Sequence, residues 1–352
     1  MNNTIGIYPY THDWKPILHY KEFLFPGISV YASVKSLEPN MESYQSEIVP
    51  YPQCPFDTLM LTEGFESRNI DKEILEFIEH GINIENFHTL TPEIIHRLEK
   101  NKNFKNYLKE STLKISGNLS TLSDIPVPVI FVLSLYEDLD KFAVQVALRK
   151  ILMNRAIIVS QIGTRPYCER FGFHSFPEFM YQNLYTPEEK IFLFNQYVNK
   201  MVKEERPEVI IIGIPGAYNK FNKDHPMGFG VLPYLISQAV IPDFSIMCTF
   251  YTELESEKFL KDLSENCMHR LGFEIDCFHM SGTYIDMNVV NELNQIKYTH
   301  MSDKIVEKVI KSKFNKFDTC VFNIYNINGE KALGEKLFTV LSSTYEEIDV
   351  SW

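Results

Sequence analysis

Residues 208–230 read EVIIIGIPGAYNKFNKDHPMGFG, and this stretch decides the reading of the fold. It opens on the β-branched run Val209-Ile210-Ile211-Ile212, the composition of a buried parallel strand. The strand ends at Gly213, and a loop rich in Gly, Pro and Asn follows. Ligands of open α/β sheets bind beyond the carboxyl ends of the strands, so this loop is a candidate site. Gly213 and Gly216 flank Pro215 and let the backbone approach a ligand closely. Asn219, Lys220, Asn222, Lys223, Asp224 and His225 add polar groups within the same loop. The plainer alternative is a surface loop stiffened by prolines, but long loops inside compact folds more often serve a function.

The strand is one of several. The chain has 352 residues, long enough for two or three domains. A composition of 45% hydrophobic and 23% charged residues is that of a globular protein. The formal net charge of −12 argues against a nucleic-acid-binding surface as the main business. No run of about 18 apolar residues offers a membrane span. The first fifteen residues, MNNTIGIYPYTHDWK, lack the basic and apolar regions of a secretory signal, so a cytoplasmic location is expected. The six cysteines are Cys54, Cys168, Cys248, Cys267, Cys277 and Cys320. They match no metal-site spacing and are expected to be reduced, mostly buried thiols.

Ahead of the opening stretch, residues 1–110 alternate strands (4–8, 28–32, 56–61, 82–84) with helices (from Trp14, 71–80, 92–108). That order predicts a small Rossmann-like domain. Gly81 is the expected helix stop and Thr91 the expected cap of the 92–108 helix. No GxGxxG follows the first strand, so a dinucleotide has no standard seat. The polar stretch 111–126 is the expected linker. Residues 127–352 carry strands near 127–133, 157–162, 209–213, 244–250, 274–280 and 320–325. Helices are expected over 141–153, 186–204, 231–239, 253–271, 302–313 and 331–345. The fold class is α/β, with a larger, mostly parallel, three-layer P-loop-like second domain whose phosphate loop is degenerate.

That degeneracy is specific. Aligned on Lys141, the glycine positions of a Walker loop hold Leu135 and Asp140, and the Ser/Thr position holds Phe142. Only the lysine remains, and Glu137, Asp138 and Asp140 would repel phosphate. ATP with magnesium is therefore not favoured, and the plain reading is a strand-to-helix loop with a solvated lysine. The loop at 161–174 is richer. Its Arg165 and Arg170 suit a carboxylate or phosphate. Cys168 between them is a weak nucleophile candidate, with His174 as its partner, against the alternative of an ordinary loop with paired arginines. If its strand runs parallel to 209–213, this loop shares an edge with Asn219, Lys220 and His225 in one basic cleft. Asp276, Cys277 and His279 alternate on a strand, too few for a metal site and better read as core. Tyr8, Tyr10, His12 and Asp13, ending the first strand, line an interdomain cleft or simply pack.

Four stretches carry a resemblance: IYPYTHDWKPILHYKEF at 7–23, SQIGTRPYCERFGFHSFPEFM at 160–180, PEVIIIGIPGAYNKFN at 207–222 and FGVLPYLISQAVIPDFSI at 229–246. Together they resemble a family of peptide maturation system proteins from anaerobic Gram-positive bacteria. Its members accompany radical S-adenosylmethionine (SAM) maturases and small Cys-rich precursor peptides in clusters for ribosomally synthesised peptide natural products. The resemblance implies an accessory role, with the maturase and the precursor peptide as partners, and a homodimer is compatible with it. It assigns no chemistry. At the level of fold the second domain is also similar to P-loop proteins of the dethiobiotin-synthetase type, which bind ATP. This leaves an ATP-dependent ligase or kinase-like enzyme, acting on a peptide or small carboxylate, as the alternative function.

Overall fold

The computed structural model describes residues 4–34, 48–50, 56–65, 69–108, 121–253, 257–314 and 317–349. The chain divides into two compact units, Met1–Glu110 with Pro166–Gly172, and Ser111–Arg165 with Phe173–Trp352.

The first unit holds strands β1 (Thr4–Tyr8), β2 (Ser29–Val34), β3 (Ile48–Pro50), β4 (Thr58–Leu61), β5 (Asn83–Asn86) and β6 (Phe104–Asn106). They form one sheet in the order β3-β2-β1-β4-β5-β6. Every pairing is parallel, and the order is that of a doubly wound dinucleotide-binding fold. Helices α1 (Lys15–His19), α2 (Lys21–Leu24), α3 (Ile70–Glu79) and α4 (Pro92–Leu98) connect them. Leu59, Leu61, Phe65, Ile74, Ile84 and Leu98 fill the core between sheet and helices. Gly81 follows α3 with φ +84, the left-handed stop its position predicts.

The sequence predicts one helix over 92–108, but α4 ends at Leu98 and β6 pairs with β5 instead. Asn101 makes the break: its side-chain oxygen accepts the Asn103 N–H at 3.0 Å, an Asx turn that diverts the backbone from the helix. Thr91 is the N-cap of α4 by position, yet its side chain makes no capping bond. Pro166–Gly172, expected in the second domain, belongs to the first unit. Tyr167 stacks on Trp14 at 5.0 Å and meets Phe87 edge-on at 5.3 Å. Phe171 packs on Phe25, and Arg170 pairs with Glu85 at 2.8 Å.

The second unit is built on β7 (Val129–Ser134), β8 (Val159–Ile162), β9 (Val209–Gly213), β10 (Phe244–Thr249), β11 (Cys277–Met280) and β14 (Cys320–Phe322). All pair in parallel in the order β14-β11-β10-β7-β9-β8. β12 (Thr283–Ile285) and β13 (Tyr298–His300) form a short antiparallel ribbon. α5 (Lys141–Met153) and α11 (Ile327–Asp349) cover one face of the sheet. α6 (Pro187–Glu205), α7 (Val231–Ala239) and α8 (Glu257–Leu271) pack side by side as a second helical layer. α9 (Met287–Leu293) sits within the ribbon connection, and α10 (Asp303–Lys313) packs near β14. This is a three-layer, P-loop-like α/β architecture.

β7, β9 and β10 are buried along their whole lengths, as strands covered on both faces must be. Each such Val, Leu or Ile contributes roughly 1.5–3 kcal/mol through burial. α6 begins with the capping box its sequence predicts, Thr186 and Glu189 exchanging side-chain bonds with each other's backbone N–H. At Gly213 any Cβ would lie 2.3 Å from Gln145 Oε1, so glycine lets α5 seat against the end of β9.

Candidate functional site

In an open sheet the ligand crevice opens where neighbouring strands send their connections to opposite sides. In the second unit that point lies between β7 and β10. β7 leads through α5 toward β8, while β10 leads through α8 toward β11. Ser134 ends β7 directly opposite Cys248 of β10. Lys141, the first residue of α5, folds back over this point. Its ammonium donates to Ser134 Oγ at 2.7 Å and to the Gly216 carbonyl at 2.6 Å. Two loops, one from β7 and one from β9, thus meet on one lysine.

The ammonium has an unusual environment. Burial lowers the Lys141 pKa from 10.5 to about 8, and the Arg165 guanidinium adds to the fall. Cys248, Asp138 and Glu137 act the other way. Burial also raises the Cys248 pKa, so that thiol is neutral at physiological pH and the opposition then comes from the two carboxylates. The expectation of a solvated lysine is therefore corrected: Lys141 is held by protein atoms at the sheet's switch point.

Beside it, Asp138 and Asp140 take left-handed backbone conformations, with φ 54 and 60. Asp140 occupies the N-cap position of α5 without capping it. Its carboxylate turns instead toward β11 and β14. Oδ2 accepts Ser281 Oγ–H at 2.5 Å, and Oδ1 accepts the Tyr325 hydroxyl at 3.1 Å. His279 Nε2 lies 3.6 Å from Oδ2, on a ring that is fully buried. His279 Nδ1 accepts the Ile324 N–H at 3.3 Å, which places the proton of the neutral ring on Nε2, the nitrogen nearest Asp140. Nε2 itself has no hydrogen-bond partner among the described residues. The sequence suggests a satisfied core histidine; the structure satisfies one nitrogen and leaves the other for Asp140 or a ligand. Asp140 thus forgoes a cap worth about 1 kcal/mol and uses its carboxylate to tie the start of α5 to Ser281 and Tyr325.

The other predicted residues distribute as follows. Gly216 supplies the carbonyl bound by Lys141, and Arg165 lies within its electrostatic reach. Asn219 and Lys220 are exposed, the Asn219 side chain accepting the Lys220 N–H at 2.9 Å. His225 Nε2 contacts the Asn294 carbonyl at 3.1 Å. Arg170 belongs to the first unit, paired with Glu85 and lying over the Phe25 and Tyr107 rings. Cys168 is fully buried in the first unit, whereas His174 lies in the second, its Nε2 2.5 Å from Glu205 Oε1. The Cys168 thiol is thus inaccessible, and Cys168 and His174 belong to different units.

Arg270, on α8, was not singled out by the sequence and organises the 213–230 loop. It donates to the Tyr218 carbonyl at 2.9 Å and the Phe229 carbonyl at 2.5 Å. Gly230 sits in that staple with φ +68, and a Cβ there would lie 2.0 Å from Tyr218 O. Among the described residues no group of three or more His, Cys, Asp or Glu could hold a metal ion. No helix among them is long and apolar enough to cross a membrane.

No protein-family model and no curated protein sequence matches the chain. Among solved structures, a DUF1611 family protein from Anabaena variabilis ATCC 29413 is similar, with a TM-score of 0.60 and 10% sequence identity. The match covers 96% of this chain and 100% of that one, and shows the fold alone. A nucleotide-binding protein from Archaeoglobus fulgidus, in complex with ADP, aligns with a TM-score of 0.29 and 12% identity. That match covers 58% of this chain and 86% of the other, an overlap too slight to bear on fold or function.

Proposed function

We propose that this protein is an accessory binding protein in the maturation of a ribosomally synthesised peptide, and that its second unit takes a carboxylate at Lys141. The Lys141 ammonium carries the site. Two of its three N–H groups are committed to Ser134 and Gly216, and the third has no partner among the described residues. The surrounding charge favours one carboxylate over a polyphosphate. Glu137 and Asp138 balance Lys141 and Arg165, and Asp140 lies next in the chain, so each added negative charge on a ligand is opposed and a polyphosphate is opposed more than a single carboxylate. The loop also lacks the glycines whose amides cradle phosphates. The pathway assignment, with a radical SAM maturase and a Cys-rich precursor peptide as partners, is supported by the resemblance of the four stretches between residues 7 and 246.

One observation favours the alternative, an ATP-dependent ligase: Lys141 begins the helix that follows the central strand, the position of a phosphate-loop lysine. A titration separates the two. Precursor-peptide segments with free and amidated carboxyl termini, and Mg-ATP, are added in parallel to wild type and Lys141→Ala while thermal stability is followed. Binding of a peptide carboxylate stabilises wild type only, and Mg-ATP leaves both unchanged. Stabilisation by Mg-ATP that is lost in Lys141→Ala would make the loop a nucleotide site and favour the ligase reading instead.

A further inference from the structure

β11 and β14 run parallel and adjacent, and their register sets Cys277 directly opposite Cys320. Paired strands lie about 4.8 Å apart, within the range of about 4.4–6.8 Å between Cα atoms that a disulfide spans. The two side chains share one face of the sheet, and their thiols are within hydrogen-bonding reach of each other. Cys277 is fully buried, whereas Cys320, on the edge strand, is partly exposed. Their environments push them apart. The hydrogen bond from Cys277 lowers the Cys320 pKa, with Lys336 acting in the same direction against burial and Asp276. Burial, then Cys320 itself, raises that of Cys277. A thiol on a partly exposed edge-strand residue, directly opposite a buried second thiol that can resolve it, is the arrangement of a redox-responsive pair.

We propose that Cys277 and Cys320 form a dithiol that hydroperoxides convert to an intramolecular disulfide, Cys320 reacting with the peroxide first and Cys277 resolving it. The Cys320 thiolate attacks a peroxide oxygen; an S–O bond forms as the O–O bond breaks, and the leaving oxyanion takes a proton. Cys320 is then a sulfenic acid. The Cys277 sulfur attacks the sulfenyl sulfur, an S–S bond forms, and hydroxide leaves with the Cys277 proton as water. The dithiol loses two electrons and two protons, and hydrogen peroxide becomes two molecules of water. The crosslink falls next to the site described above. His279 is two residues beyond Cys277 and Phe322 two beyond Cys320, their rings 5.6 Å apart. No other described cysteine has a cysteine as its strand partner.

The test is a cysteine map of the wild-type chain after brief exposure to limiting hydrogen peroxide. The protein is unfolded before alkylation, so that burial masks no thiol. The expected product is a Cys277–Cys320 crosslinked peptide, about 2 Da lighter than the reduced pair and restored by dithiothreitol. Cys168, Cys248 and Cys267 remain alkylatable. In Cys277→Ser, Cys320 stops at the sulfenic acid and is trapped by dimedone; in Cys320→Ser, Cys277 stays reduced. Wild-type protein in which both residues remain alkylatable while the other cysteines oxidise would overturn the proposal. So would over-oxidation of Cys320 beside a reduced Cys277. The wild-type map decides the matter even if a serine variant does not fold.

Discussion

Replacing Lys141 by Met removes one ammonium from the switch point of the second sheet, and the effect of that change on stability depends on pH in a defined way. The folded-state pKa, about 8, lies below the ordinary 10.5. At about 1.4 kcal/mol for each tenfold change, this corresponds to about 3 kcal/mol disfavouring the charged form, and solvent at this partly exposed residue reduces it to about 2 kcal/mol. Because the folded pKa is depressed, the stability linked to Lys141 is fully present above 10.5 and is lost as pH falls through about 8. The assay is denaturant unfolding of wild type and Lys141→Met in parallel from neutral to alkaline pH. Their difference cancels the tyrosines and surface lysines common to both. It should be constant below pH 8, move in favour of wild type as pH rises toward 10.5, and level off beyond. A difference that stays flat across that window means a freely hydrated ammonium, and the environment derived for Lys141 would then be wrong.

Three further predictions concern neighbouring features. Gly230→Ala forces a Cβ to within 2.0 Å of the Tyr218 carbonyl at a left-handed φ and should destabilise by about 3 kcal/mol or more, read as a fall in the thermal unfolding midpoint. An unchanged midpoint would show that the Arg270 staple yields easily. Asp140→Ala strands the Ser281 and Tyr325 hydroxyls, at a cost of about 1–3 kcal/mol. Asp140→Asn, which keeps an acceptor, should cost less than half as much, and equal losses would argue that the carboxylate charge itself holds the cluster. Arg170→Met leaves Glu85 without its cation inside the first unit, a loss of about 2 kcal/mol. Hydrogen exchange should then rise in β5 and not in β7.

The fold was legible where one property runs through consecutive residues. Val209–Ile212 reads as a buried strand because β-branched side chains on both faces need cover from two helical layers. Gly81 and the Thr186–Glu189 box mark helix ends through bonds between near neighbours. The site was less legible because its partners are far apart in sequence. Lys141 looks solvated beside three acids, and nothing local reveals that Gly216, 75 residues away, accepts its hydrogen bond. Asp140 meets Ser281 and Tyr325 across separations of 141 and 185 residues. Arg165 and Arg170 are close in sequence but fall in different units, a division set by the packing of Tyr167 and Phe171 onto first-unit aromatics. The helix expected over 92–108 failed for a local reason, the Asn101 turn, whose signal was present and outweighed by the apolar periodicity around it.

The central claim, that Lys141 receives a carboxylate and not a nucleoside triphosphate, is tested most directly by observing its own ammonium. Lysine labelled at Cε reports each side chain's titration by nuclear magnetic resonance, and Lys141→Arg identifies the signal. Alone, the Lys141 signal should titrate near 8. A precursor-peptide segment with a free carboxyl terminus should raise that midpoint by bringing a negative charge against the ammonium, while the amidated segment and Mg-ATP leave it in place. A midpoint moved by Mg-ATP and untouched by the peptide carboxylate would contradict the account.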